Sequence, residues 1–304
     1  MIRRLLVICL FGAFLMVAVA PAQPNGGHPS GKRGGFLFIG TDAEEFGGAV
    51  SADRLGRFQT RGPNVVGGGI IATAFLINGM TNAHGFLYSG DPRSNVIRRI
   101  SYDGSLLGST VAGIPAVCCS EDMILDGRFL YHAHHPSTIE KINAATGALV
   151  HTYAQPNVVG MTFVTTDNDD EDDNDDDRHE GKKFARFDLT QGVRLFDHGD
   201  NDDEGDDRQI WITKWSARQV GTWDPPTNTF TPRFTTPQNA GGLAWDPGKK
   251  VLWVGLGGGL VVPYHLNGTP YNAGFRPFGP IADTIDGLEF VRKIHHHGKH
   301  HNDH

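Results

Sequence analysis

Five short aromatic or large aliphatic runs recur along this 304-residue chain, and they constrain its fold more than any other feature. They are Phe36-Leu37-Phe38-Ile39, Phe86-Leu87-Tyr88, Phe129-Leu130-Tyr131, Ile210-Trp211-Ile212 and Leu252-Trp253-Val254. Their starts are 50, 43, 81 and 42 residues apart. Each run reads as a buried strand, and a period of about 40–45 residues is that of a four-stranded repeat. A single repeat cannot bury its own hydrophobic face and needs neighbours on both sides. The expectation is an all-β ring of blades, a β-propeller.

Each repeat reads as four strands. The innermost is exemplified by Gly242-Leu243-Ala244-Trp245-Asp246, Gly160-Met161-Thr162-Phe163 and Gly287-Leu288-Glu289-Phe290, and the aromatic run is the second. The third carries apolar residues three apart, as in Ile97/Ile100, Ile139/Ile142 and Val220/Trp223. Turn formers such as Asp103-Gly104 and Asp224-Pro225 lead to the outermost. The 81-residue interval contains an acidic segment, 167–207, whose 41 residues reduce it to an ordinary repeat when removed. That segment falls between the first and second strands of the fourth blade. The final phrase, Asp286 to Val291, is an innermost strand with nothing after it, while the first blade lacks one. Pairing 285–291 with 35–40 closes a ring of five four-stranded blades over residues 34–292 and removes open edges. A six-bladed ring is the alternative, with Phe184 to Phe196 supplying a hairpin of the extra blade.

The ends and the charge distribution bound the rest. Arg3 and Arg4, the apolar stretch Leu5 to Ala18 and the small residues Ala20-Pro21-Ala22 form an export signal, 1–22, and 23–33 is a linker. The expected location is secreted or periplasmic, with no membrane span. The segment 167–207 holds 18 of the 34 acids and a balance of −13, against −7 for the whole chain, so the remainder carries +6. Nucleic-acid binding does not follow from that distribution. The run Asp200-Asn201-Asp202-Asp203-Glu204-Gly205 has acids at the first, third and fifth places of a calcium loop. Trp211 stands where the final Glu is needed, so the segment reads as a solvated insertion. The tail 293–304 carries six histidines, which suit Zn, Ni or Cu. Cys118 and Cys119 are adjacent. Their Cα separation of about 3.8 Å is shorter than disulfide geometry prefers, and the reading leaves thiol and disulfide open.

Candidate binding residues come from a second repeated phrase: Pro63-Asn64-Val65-Val66-Gly67, Pro156-Asn157-Val158-Val159-Gly160 and Pro237-Gln238-Asn239-Ala240-Gly241. Such phrases would ring the mouth of the central channel. Asn64, Asn157, Asn239 and Asp283, with Glu121 nearby, could offer oxygens to Ca²⁺. The same asparagines equally organise turns through side-chain-to-backbone bonds. His132, His134 and His135 end a second strand on the same side of the ring. Ser137 follows them, but no Gly-x-Ser-x-Gly elbow surrounds it.

Phrases such as Gly-Leu-Ala-Trp-Asp-Pro-Gly-Lys-Lys-Val-Leu-Trp-Val at 242–254 resemble the NHL and YVTN class of extracytoplasmic propellers. The resemblance covers the repeat region and is shared by metal-dependent lactonases, streptogramin lyases and binding scaffolds. The lactonase resemblance implies a metal at Glu121, Asn157, Asn239 and Asp283. The lyase resemblance implies a role for the histidines. Two function classes follow: a recognition scaffold for an extracellular protein, glycan or small molecule, expected as a monomer, or a Ca²⁺-dependent hydrolase or lyase at the channel mouth.

Overall fold

The computed structural model describes residues 34–41, 53–72, 78–83, 85–91, 96–112, 120–134, 137–144, 146–165, 208–281 and 284–292. The first blade contains β1 (Gly35–Thr41), β2 (Arg54–Arg61) and β3 (Asn64–Ala72). The second contains β4 (Asn78–Ala83), β5 (Phe86–Asp91), β6 (Val96–Ile100) and β7 (Leu106–Ala112). The third is β8 (Ser120–Asp126), β9 (Phe129–His134), β10 (Thr138–Asn143) and β11 (Leu149–Ala154). The fourth is β12 (Val158–Thr165), β13 (Arg208–Lys214), β14 (Gln219–Asp224) and β15 (Thr229–Thr235). The fifth holds β16 (Ala240–Asp246), β17 (Val251–Leu256) and β18 (Leu260–Tyr264), and β19 (Gly287–Val291) returns to the first. All pairings are antiparallel, and the aromatic runs are the second strand of every blade.

The ring closes as the missing strands require. β19 pairs with β1 from Phe36 opposite Val291 to Gly40 opposite Gly287. The innermost strands β19, β4, β8, β12 and β16 pack on one another around the axis. They approach so closely that a Cβ at Gly160 would lie 2.2 Å from the Gly241 carbonyl oxygen, and one at Gly241 2.2 Å from that of Ile285. Only glycine permits backbones to meet at that range. The molecule is a five-bladed β-propeller.

Five hydrophobic clusters fill the five seams between blades. The three-residue spacing in the third strands now has a physical reason. Successive strand side chains alternate faces, so residues three apart point to opposite neighbours. Ile97 packs with Tyr88 and Leu130 in the seam to the third blade, while Ile100 packs with Phe38 and Leu55 in the seam to the first.

The fifth sheet has three ladder strands, and the segment after β18 takes the fourth position. Val261 and Phe275 exchange two backbone hydrogen bonds of 2.9 Å, and the Tyr271 amide donates to the Pro263 carbonyl. Phe275 and Phe278 then pack edge-on against Phe58 of the first blade.

The export signal and linker, Cys118-Cys119, the acidic segment with its hairpin, and the histidine tail lie outside the described residues. At the base of the acidic segment Thr165 pairs directly with Arg208. Among the described residues no helix is long and apolar enough to cross a membrane.

Candidate functional site

The channel-mouth residues separate in the structure. Asn157 and Asn239 immediately precede β12 and β16, neighbouring innermost strands. Asn157 adopts a left-handed backbone (φ 59°), and its carbonyl accepts the Trp215 amide at 2.8 Å. The Asn239 carbonyl accepts the Gly257 amide at 3.0 Å. Glu121 is the second residue of β8, half-buried at the same ring. Asn64 is different. It begins β3, the outermost strand of the first blade, so the expectation that it lines the mouth is corrected. Its phrase repeats the turn chemistry, not the location. Asp283 lies outside the described residues.

His132 is buried in β9 and faces Glu140 across the ladder with β10. Its Nδ1 stands 3.6 Å from Glu140 Oε2, and the imidazole holds the Glu140 carboxyl below its ordinary value. The His134 ring stacks on it at 6.4 Å. Strand alternation puts this pair on the face of Leu130 and Ile142, inside the seam to the second blade. His135 lies outside the described residues. Among the described residues no group of three His, Cys, Asp or Glu side chains could hold a metal.

A stronger carboxylate constellation sits at the axis, one residue from Glu121. Asp122 is fully buried. Its Oδ1 accepts the amides of Met80 and Met123 at 3.0 and 2.9 Å, and Oδ2 accepts that of Met161 at 2.8 Å. One side chain thereby ties β4, β8 and β12 together. Burial pushes its carboxyl well above the usual range, and the three amide donors pull the other way. Glu289 of β19 is pushed up to about 8 by burial, against hydrogen bonds from Phe290 and Asn82. Asn82 in turn accepts the Tyr102 hydroxyl at 2.7 Å. These oxygens are occupied by protein donors, so the axis works as a clamp.

Among the described residues, an open site lies in the seam between the third and fourth blades. There a cleft of about 730 Å³ opens, with Tyr131 and Trp223 as its buried floor and Tyr153 and Phe163 half-buried on its walls. Trp223 meets Tyr153 and Tyr131 edge-on at 4.9 and 5.8 Å, the geometry aromatic quadrupoles favour. The indole N–H donates to Asn228 Oδ1 at 3.1 Å, which fixes the ring. Lys141 Nζ sits 4.1 Å from the Phe129 ring centroid and 5.3 Å from that of Tyr131. Arg208 lies over Phe163 and 3.7 Å from Asp126. Asp224 and Thr227 mark the far rim. The volume falls in the range of small-ligand sites, and aromatic surface with a few placed charges is their usual lining.

Deeper in the same seam, Lys214 donates to Gln155 Oε1 at 2.6 Å and to the Pro156 carbonyl at 2.9 Å. Burial lowers its pKa to about 8. Gln155 passes the connection to the Asn228 side chain at 2.7 Å, so the clasp joins the two blades beside the cleft.

The sequence does not announce the cleft, because its residues come from all eight strands of two repeats. No local signal marks it, since Lys141 stands between Glu140 and Ile142 and Arg208 between Asp207 and Gln209, and their aromatic neighbours lie on other strands.

No family model matches the chain, and no curated protein matches it. Among solved structures it is similar to a chain in a crystal structure of a nidogen/laminin complex. That match has 12% identity over 85% of this chain and 98% of the other, with a TM-score of 0.46. It is similar to glutaminyl cyclase of Myxococcus xanthus at 11% identity over 79% and 86%, TM-score 0.40. A protein of unknown function from Bacteroides caccae matches at 11% identity over 86% and 100%, TM-score 0.39. Likeness at such identity extends to the fold alone.

Proposed function

We propose that this chain is an extracytoplasmic propeller of the NHL and YVTN kind that serves as a recognition scaffold, holding a small ligand in the cleft between its third and fourth blades. The observation that carries this reading is the cleft itself: half-buried aromatic walls beside Lys141, Arg208 and Asp126 in one open site. A ligand screen by thermal shift on the processed chain tests it, because binding only the native state raises the melting temperature. Ligands found in that screen should lose their shift in both Arg208→Ala and Tyr153→Ala. Hits indifferent to both substitutions would sink the reading.

A Ca²⁺ ion at the channel mouth is the second reading, supported by Asn157 and Asn239 opening neighbouring innermost strands. The described residues fit such an ion poorly. Asn157, Asn239 and Glu121 supply three side chains, whereas Ca²⁺ takes about 6–8 oxygens, and both asparagine carbonyls already accept amides. No reaction step is assigned to the mouth.

A further inference from the structure

From the charge pattern of the cleft we infer the class of its ligand: a saccharide carrying one carboxylate per acidic sugar, a uronate, with Lys141 as the anchor for that group. This rests on the reading of the cleft as a ligand site.

Lys141 carries the first part of the argument. Its ammonium is held between the Phe129 and Tyr131 rings on the half-buried face of β10. Among the described residues no carboxylate comes within ion-pair distance of it. Ring faces attract a cation but do not replace the hydrogen bonds it loses with water. An ammonium that lines an open cleft in this way is set to receive an anion from the ligand.

Arg208 supports the same conclusion from the opposite wall. Its guanidinium stands 3.7 Å from Asp126, a long separation, and both side chains are 39% exposed. A pair of that length and exposure contributes little, and the guanidinium, over the Phe163 ring, adds a second positive charge on that wall.

The sum of charges selects among anions. Among the described residues, Lys141 and Arg208 are matched on the lining by Asp126 and Asp224. A phosphate group of two negative charges would meet two carboxylates with only two cations to offset them. A sugar acid adds one negative charge per unit at Lys141. Its hydroxyls can then donate to Asp126 and Asp224, which accept hydrogen bonds and have none to give. The remaining surface of Tyr153 and Phe163 suits the C–H faces of pyranose rings. A cleft of about 730 Å³ accommodates more than one sugar.

Titration calorimetry on the processed chain at low salt tests the class, with four probes. These are a glucuronate-containing tetrasaccharide, its methyl ester, neutral cellotetraose and inorganic phosphate. The tetrasaccharide should bind, and more weakly as salt rises. Esterification should weaken binding by about tenfold or more, as expected for loss of one charge-assisted contact. Lys141→Met should do the same, Lys141→Arg should restore it, and the melting temperature of each variant should stay near the parent. Equal binding of ester and acid, or indifference to Lys141→Met, overturns the assignment. Binding of cellotetraose or phosphate in preference to the uronate overturns it too, while loss of that binding in Arg208→Ala leaves the cleft reading standing. A chain that binds none of the four refutes the uronate class and returns the cleft to the open screen. Uronate binding untouched by Arg208→Ala, Tyr153→Ala and Lys141→Met together refutes both statements.

Discussion

Two seams of this ring are built from nearly the same side chains and end in opposite states. Between the fifth and first blades, Trp253, Phe58, Phe275 and Phe278 pack into a dry cluster with Leu37, Ile39 and Leu288. Between the third and fourth, Trp223, Tyr131, Tyr153 and Phe163 also pack into one cluster, yet a cleft remains and charges line it. The difference is what happens after the third strand. In the fifth blade the chain returns across β18 and lays two phenylalanines over the first blade. In the fourth, the tight Asp224–Asn228 turn leads straight into β15, and among the described residues nothing comparable reaches over the third blade. Aromatic content does not separate a sealed seam from a binding one. The cover does.

The largest expected effect tests the sealed side. Trp253 is fully buried, so Trp253→Ala should cost about 3–5 kcal/mol in urea denaturation, as large aromatic truncations do. Trp223→Ala should fall at the low end of that range, because the void it leaves joins the cleft and takes up water. Equal costs would erase the distinction between the seams.

A second effect reads the axis of the ring by pH. Glu289 has its carboxyl pushed up to about 8, above its ordinary value of 4.5. Between those values the folded chain binds a proton that the unfolded chain has released, so stability falls as pH rises through the window. Glu289→Gln removes that penalty. The variant should melt several degrees above the parent at pH 8 and close to it at pH 5, with about 2–4 °C for each kcal/mol in a chain of this size. A parallel pH profile in the two proteins would mean that Glu289 ionises freely.

The open seam should show the reverse behaviour, with small stability effects. Lys141→Met should shift stability by less than about 1 kcal/mol, since a part-exposed cation over rings contributes little more. A larger loss in denaturation would make Lys141 part of the core and not of a binding surface.

The smallest expected effect concerns the acidic segment. Thr165 and Arg208 already face each other in the ladder, so replacing 166–207 by a short turn should keep a cooperative melt within a few degrees. Loop entropy changes slowly with length. Loss of folded protein would show that the segment helps to hold the fourth blade.

The architecture was legible because its signals are local and repeated. An aromatic run, an apolar pair three apart and a turn can each be read inside one repeat, and the orphan strand at each end announced the closure. The sites were less legible because they are assembled across repeats. Asn64 carries the same phrase as Asn157 yet begins an outermost strand, since turn chemistry recurs at more than one place in a blade. Glu121 stood out as a possible ligand, while its neighbour Asp122, hidden in an apolar strand, gathers amides from three blades. Lys141 and Arg208 are 67 positions apart and acquire a common purpose only when the third and fourth blades meet.

The pairing of β19 with β1 also decides how the molecule responds to force. Phe36 lies opposite Val291 in an antiparallel ladder, so the two ends of the ring leave it side by side. Pulling them apart opens the ladder like a zipper, one hydrogen-bonded pair after another, instead of shearing all of them together. Tension applied through the chain ends would therefore release the first blade before any other seam carries load. A tether at either terminus alone would leave the closure unstressed.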